Sequence, residues 1–186
     1  MSATLHDFAQ HATPSRQALR KVLHAAPAHP AWSPRPIPHD VIEQLHALLA
    51  LGPSLVDASP TRVLFIASDG GKRRLSPYLG DAVREEALAA PACALIGYDV
   101  DFAEQLVEFL PRAAAGRSCL ENPEVVHEMA SRNGMLQGAY LIVAARALGL
   151  EVSVLFEFDV TGASFEFFRG QRVRANFLCA LGYPAD

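Results

Sequence analysis

Helices and strands intermingle along this chain, which predicts one α/β or α+β domain over residues 1–186. Three observations carry that expectation. Hydrophobic residues make up 51% of the chain and charged residues 19%, enough for a sizeable core and too little charge for disorder. The run Ala92 to Tyr98 is continuously apolar, as a strand buried on both faces would be. A long helix from Asn122 to about Leu148 has an apolar middle, Gly138 to Ala145, of the kind that lies in a core or at a dimer interface.

In chain order, Thr4 to His24 reads as a first helix with Leu5, Phe8, Leu19 and Val22 as buried candidates. Residues 25–38 form a proline-rich arm, since proline removes donors and restricts its predecessor. Together, residues 1–38 are an N-terminal helix and arm. Asp40 with Glu43 has the spacing of a capping box, and the helix after it places Val41, Leu45, Leu48 and Leu49 on one side before Gly52-Pro53 stops it. Val63 to Ala67 is a short strand, Asp69-Gly70-Gly71 a turn, and Lys72 to Leu79 a helix. After the strand Ala92 to Tyr98, Asp101 to Leu110 is amphipathic through Phe102, Leu106 and Phe109. Ala113 to Leu120 is a loop. Asn122 can cap the long helix, Pro123 suits its first position, and Gly149 stops it. Val152 to Phe156 is a strand, Thr161 to Phe168 a helix, and Arg174 to Leu181 the last strand.

The net charge of −4 and the lack of a basic stripe argue against nucleic acid. Cys93, Cys119 and Cys179 are odd in number and widely spaced, which suits neither a disulfide framework nor a zinc knuckle. Cys93 and Cys179 lie in apolar runs and read as core residues. The seven histidines do not cluster, so no metal site is expected. No signal core or membrane-length apolar run is visible, and the expectation is a reducing, cytoplasmic location with no membrane partner.

A series of short pieces carries a resemblance: Trp32, Gly52-Pro53, Ser59-Pro60-Thr61-Arg62, Ala90-Pro91, Tyr98-Asp99, Arg132-Asn133, Leu136-Gln137-Gly138-Ala139-Tyr140, Ala145-Arg146-Ala147-Leu148-Gly149-Leu150, Phe158-Asp159, Phe167-Phe168, Asn176-Phe177-Leu178 and Leu181-Gly182-Tyr183. In this order, from about Ala26 to Tyr183, they resemble the nitroreductase superfamily, nearest its malonic semialdehyde reductase (3-hydroxypropanoate dehydrogenase-like) branch. The resemblance implies an α+β fold: a three-layer α/β/α sandwich with an antiparallel-dominated sheet, homodimeric through the long helix. It also implies FMN at the dimer interface, NAD(P)H as electron donor, and a small aldehyde, quinone or nitro compound as acceptor. The flavin would do the electron chemistry while the protein supplies position and electrostatics.

Cofactor-facing segments depart from the family pattern. An arginine in an Ala-Arg-Thr-His-Asn run should reach the phosphate; here Ala26-Pro27-Ala28-His29-Pro30 keeps only His29, and Arg35 is the nearest substitute. A missing charge-assisted bond costs about 1.5–3 kcal/mol. Gly-Pro-Thr-Ser-Ala-Asn becomes Gly52-Pro53-Ser54-Leu55-Val56-Asp57, so an acceptor, Asp57, replaces the amide at the flavin edge. The loop that offers a backbone N–H to flavin N5 ends in glycine in the family; here Phe156 and Glu157 stand in it, adding bulk and restricting close approach. The basic tail expected beyond Gly-Tyr is replaced by Pro184-Ala185-Asp186.

The candidate cofactor-binding residues are therefore Arg62, Asp57, Asn176, Phe156, Glu157, Arg35 and His29, with Glu157 also the candidate catalytic acid–base. Four have a structural alternative: Arg62 as a surface residue at a strand start, Asn176 as a brace for a neighbouring segment, Glu157 as a solvated loop acid and His29 as a solvated loop residue. Arg132-Asn133 can fork to carbonyls inside the fold. The functional expectation is an FMN-dependent NAD(P)H oxidoreductase. The alternative is a flavin-free relative, either a partner subunit or an enzyme repurposed for non-redox chemistry.

Overall fold

Eight buried residues in a row, Ala92 to Asp99, form the strand on which the rest of the protein is layered. The computed structural model describes residues 14–23, 31–54, 59–104 and 121–185. Four strands, β1 (Thr61–Ile66), β2 (Ala92–Asp99), β3 (Glu151–Leu155) and β4 (Val173–Gly182), form one sheet in the order β1-β2-β4-β3. Every neighbouring pair is antiparallel. The helices are α1 (Arg16–Leu23), α2 (His39–Leu49), α3 (Asp69–Leu75), α4 (Asp81–Ala89), α5 (Pro123–Ala147) and α6 (Val160–Phe167).

The period-2 pleat of β2 and β4 splits their side chains between two cores. Cys93 and Leu95 of β2 and Leu178 and Ala180 of β4 pack with Leu75 of α3, Ala87 of α4 and Phe168 beyond α6. Ala94, Ile96, Phe177, Cys179 and Leu181 pack on the other side with Leu45 and Leu49 of α2 and Leu141, Ala144 and Ala145 of α5. Both faces of the sheet are thus covered by helices, giving the expected three-layer α+β sandwich. A bulge interrupts the pairing of β2 with β4: Ile96 faces Phe177 and Gly97 faces Ala175, so Asn176 has no opposite residue.

The ends of α5 form as local chemistry dictates. Asn122 Oδ1 accepts from the Glu124 N–H at 3.0 Å, and Pro123 takes the first turn. Gly149, with φ +84°, reverses the chain beyond the helix, and the Leu150 N–H bonds back to the Ala145 carbonyl at 3.0 Å.

Other elements differ from expectation. Asp40 lies inside the first turn of α2, which begins at His39 after Pro38 with no side-chain cap. There the Asp40 carboxylate complements the helix dipole, and Glu43 faces His39 Nδ1 at 3.6 Å. Asp69-Gly70-Gly71 is the start of α3, not a turn, because Ser68 Oγ accepts from the Gly71 N–H at 3.1 Å and caps it. The helix α4 had no counterpart in the sequence reading, although Asp81-Ala82-Val83-Arg84-Glu85-Glu86-Ala87-Leu88-Ala89 is rich in helix formers. Of the first helix, Arg16–Leu23 is described, with no buried residue. Leu19 is exposed, and Leu5, Phe8, Leu106, Phe109 and Cys119 lie outside the described residues. Phe102, Cys93 and Cys179 are buried as expected.

Candidate active site

Gly138 sets how closely α5 lies on the sheet. A side chain there would collide with the ring of Phe177, so the helix and β4 meet with no atom between them. One turn earlier, Gly134 brings the helix against Tyr98 and Asn176. The bulge turns Asn176 toward α5, where its amide donates to the Ser131 carbonyl at 3.1 Å. Asn176 therefore braces the long helix.

On the other flank of this turn a cleft of about 270 Å³ opens between α2, the approach to β1, and α5. His46, Ser59, Thr61, Arg62 and Gln137 line it. Gln137 is 4% exposed, and its Oε1 accepts from Ser59 Oγ. Its two amide donors have no acceptor among the described residues. Thr61 Oγ1 is buried and without a hydrogen-bond partner among the described residues. The open amide donors of Gln137 at this cleft suit a polar ligand, and the buried Thr61 hydroxyl beside it is a further polar group left unpaired at some cost.

Arg62 borders the cleft, and its charge is neutralised within the fold. Its Nη2 donates to Asp99 Oδ2 at 2.8 Å, and its Nη1 donates to the carbonyls of Ser59 and Thr61, each at 3.1 Å. Asp99 accepts further from the Asp101 N–H at 2.9 Å, and its own N–H reaches the Pro60 carbonyl at 2.7 Å. The pair clamps the start of β1 to the end of β2 and shapes the backbone that carries Ser59 and Thr61.

The loop after β3 lies on the opposite flank of the α5 turn. Phe156 is 62% exposed, with its ring 5.7 Å from that of Phe177. Glu157 does not point back at its own backbone. Its side chain lies over Gly80, where a Cβ would stand 2.6 Å from Oε1, and its carbonyl accepts from the Gly80 N–H at 2.9 Å. The Glu157 N–H has no acceptor among the described residues.

The arm returns to the sheet through Trp32, which bridges to Pro184 and donates from Nε1 to the Glu86 carbonyl at 3.2 Å. Arg35 then lays its guanidinium 4.2 Å from the centre of the Tyr183 ring. His29 and Asp57 lie outside the described residues. Arg132 is not buried but exposed and paired with Glu128, while Asn133 is buried and bonds the Met129 carbonyl at 2.9 Å. His127 meets the Tyr98 hydroxyl at 3.3 Å. Burial raises the Tyr98 hydroxyl above the usual phenol range, against the opposing effects of Arg174 and a Ser131 bond.

The structure thus joins Phe156, Asn176, Arg62 and the cleft through residues 134–138 of α5. Gln137, Ser59, Thr61 and His46 were absent from the candidate residues read from the sequence. One signal pointed to Gln137: an amide between Leu136 and Gly138, at the edge of the apolar middle of the helix. The others become site residues only through packing between α2, β1 and α5.

No family model matches the chain. A protein of Cupriavidus pinatubonensis carrying the name NADH dehydrogenase/NAD(P)H nitroreductase is 37% identical over 172 residues, 91% of this chain and 88% of that protein. One of the same name from Stenotrophomonas maltophilia is 38% identical over 167 residues, 89% of this chain and 85% of its own. Among solved structures, a nitroreductase from Exiguobacterium sibiricum in complex with FMN superposes with TM-score 0.77 at 19% identity, covering 95% of this chain and 91% of that one. The enone reductase CLA-ER, of gut-bacterial fatty acid saturation, superposes equally well, TM-score 0.77 at 13% identity, covering 92% and 90%. The shared architecture and the extent of the sequence identity place this chain in the nitroreductase family.

Proposed function

We propose that this protein is an FMN-dependent NAD(P)H oxidoreductase that reduces a small aldehyde, quinone or nitro compound in a site shared between two copies of the chain. One observation carries the reading: a cleft holding the unpartnered Thr61 hydroxyl and the open donors of Gln137 lies across a single turn of α5 from the open Glu157 N–H and the exposed Phe156 ring. These groups fit the ring end of FMN, which needs donors and acceptors along its pyrimidine edge, a donor at N5 and an apolar surface beneath. Gln137, Thr61 and Ser59 would hold the polar edge, the Glu157 N–H would meet N5, and Phe156 would lie against the ring. Arg35, steadied on Tyr183, is the described cation on the arm for the phosphate, with His29 of the same arm as a further contact and Asp57 at the flavin edge.

FMN, when bound, supplies the two-electron chemistry between NAD(P)H and the acceptor. The chain's own work is binding, orientation and water exclusion. Arg62 and Asn176 act as positioning residues, the first through its clamp on Asp99 and the Ser59–Thr61 backbone, the second through Ser131. Glu157, held over Gly80, is the nearest acid to the Phe156 loop and the candidate proton carrier.

A second copy is needed to cover the outer face. Met135, Leu136 and Val143 are exposed on α5, and the amphipathic α1 packs on α5 without burying a residue. Exposed apolar surface of this kind marks an association site.

The test is the visible spectrum of the purified protein followed by FMN titration. A yellow protein, or micromolar uptake with NAD(P)H oxidation, supports the reading, and a Glu157→Gln change that lowers turnover without lowering FMN uptake assigns the proton step. A colourless protein that takes up no FMN overturns it. That result would favour the flavin-free alternative, to which the neutralisation of Arg62 by Asp99 already lends support.

A further inference from the structure

Backbone bonds fasten the loop between β3 and α6. The Gly80 N–H donates to the Glu157 carbonyl at 2.9 Å, and the Asp159 N–H donates to the Tyr78 carbonyl at 2.7 Å. These two bonds flank an antiparallel bridge between Leu79 and Phe158. Another bond spans Glu157 itself: the Phe158 N–H returns to the Phe156 carbonyl at 3.1 Å, the bond of a γ-turn. Asp159 then caps α6, its Oδ1 accepting from the Gly162 N–H at 2.9 Å. In this fastened loop the Glu157 N–H is left with no acceptor among the described residues.

Gly80 stands where the loop meets α4, and neither its backbone nor its helix calls for glycine. Its φ of −62° and ψ of 152° are open to any residue. It is the N-cap of α4, where serine, threonine, aspartate or asparagine would stabilise the helix by accepting an N–H, and α4 has no such bond. Space is what calls for glycine. A Cβ at residue 80 would stand 2.6 Å from Oε1 of Glu157, 2.7 Å from its Cγ and 2.9 Å from its Cδ. The clash runs along the arm of Glu157 and not only at its tip. The two backbones cannot part to relieve it without giving up the bond from the Gly80 N–H to the Glu157 carbonyl. Relief comes from a turn of the arm about its own bonds or from a shift of the γ-turn, and the second carries the Glu157 N–H with it.

We propose that Gly80 is a positioning residue for the Phe156–Glu157 peptide: the space left by its missing side chain seats the Glu157 arm, and the seated arm sets where the open Glu157 N–H stands against flavin N5. The assignment rests on the oxidoreductase reading above. It gives Glu157 a task that depends on the shape of its arm and not on its charge, separate from carrying a proton.

Two measurements test it. The first uses the full chain freed of flavin and follows the backbone amide signals of residues 156–158 by NMR. Gly80→Ala should move them, whereas the same change made in a Glu157→Gly protein should leave them where that protein has them. The second is FMN titration. Gly80→Ala should raise the Kd by about twofold to tenfold, the range of one weakened hydrogen bond, and should add nothing in the Glu157→Gly background. Glu157→Gln, which fills the seat without the charge, should bind FMN as the parent does, and Glu157→Ala, which empties it, should bind about twofold to tenfold less tightly. That pair decides the matter if Gly80→Ala does not fold. Equal amide shifts in both backgrounds, an unchanged Kd for Gly80→Ala, or equal binding by Glu157→Ala and Glu157→Gln overturns the proposal. Coupled amide shifts in a protein that takes up no FMN uphold the seat and remove the flavin reading alone.

Discussion

The two faces of the sheet are finished to different degrees. On the α3, α4 and α6 face the chain answers its own polar groups: Lys72 Nζ donates to the carbonyls of Leu88 and Ala90, and Arg84 donates to those of Ser76 at 3.3 Å and Leu79 at 2.6 Å. The α2 and α5 face has an equally dry centre, but its margin carries the open donors of Gln137, the unpartnered Thr61 hydroxyl and an exposed apolar stripe on α5. The contrast teaches that the cations beside one face are answered by carbonyls of the chain, whereas the other leaves a cleft and an apolar stripe open, which is where the proposed ligand and second copy would lie.

Four changes can break or sharpen that contrast. The largest concerns the contact on which the open face is built. Phe177→Ala empties the space that Gly138 leaves for the ring, and should destabilise the protein by about 3–5 kcal/mol, read from urea unfolding midpoints. A loss below that of an ordinary surface change would mean that α5 does not depend on this contact.

The next concerns the sheet between the faces. Burial pushes the Cys93 thiol up to about 12, with Lys72 opposing it, and raises the fully buried Cys179 as well. Unfolded thiols ionise near about pH 8.5, so the folded protein holds these protons longer. Their contribution to stability is therefore full below that pH and is lost as the pH rises toward 12. The decline should be at most about 1.4 kcal/mol per pH unit for each thiol. Cys93→Ala should flatten its share, and a thiol reagent should react with Cys93 and Cys179 only on unfolding. If Cys179 alone reacted in the native state, the open face would be wet at its centre and not merely at its margin.

A smaller effect carries the more telling sign. Thr61→Val replaces the unpartnered hydroxyl with a methyl group and should stabilise the free protein by about 1 kcal/mol while weakening FMN uptake. Opposite signs in melting and titration are the signature of a group kept for a ligand. Loss of stability would show that the hydroxyl serves the fold. The smallest effect on the chain itself is expected from Leu136→Glu on the exposed stripe, within about 0.5 kcal/mol, yet it should convert a dimer to monomers in analytical ultracentrifugation. An unchanged mass would remove the second copy from this face.

Much of the fold was legible because its signals are local. The continuous apolar run of β2 needs no partner to announce that both its faces are covered, and Asn122, Pro123 and Gly149 mark the limits of α5 through bonds within a few residues. The misreadings have local competitors as their cause. Ser68 outcompeted the glycine pair as the organiser of residues 69–71, and Pro38 displaced Asp40 from the capping position by fixing where α2 begins. The site was legible only in outline. The segments around Arg62, Phe156 and Asn176 do converge on one turn of α5, but Arg62 is committed to Asp99, 37 positions away, and Ser59 to Gln137, 78 positions away.

The chain by itself determined its layers, its strands and the ends of its longest helix, because hydrophobic period and backbone capping act over one or two turns. Only the tertiary structure decided which way the candidate side chains turn. Glu157 lies over Gly80 because nothing at residue 80 occupies that space, and Asn176 reaches Ser131 because a bulge turns it toward α5. Such choices depend on contacts between distant segments, which exist only once the sheet and helices have closed on one another.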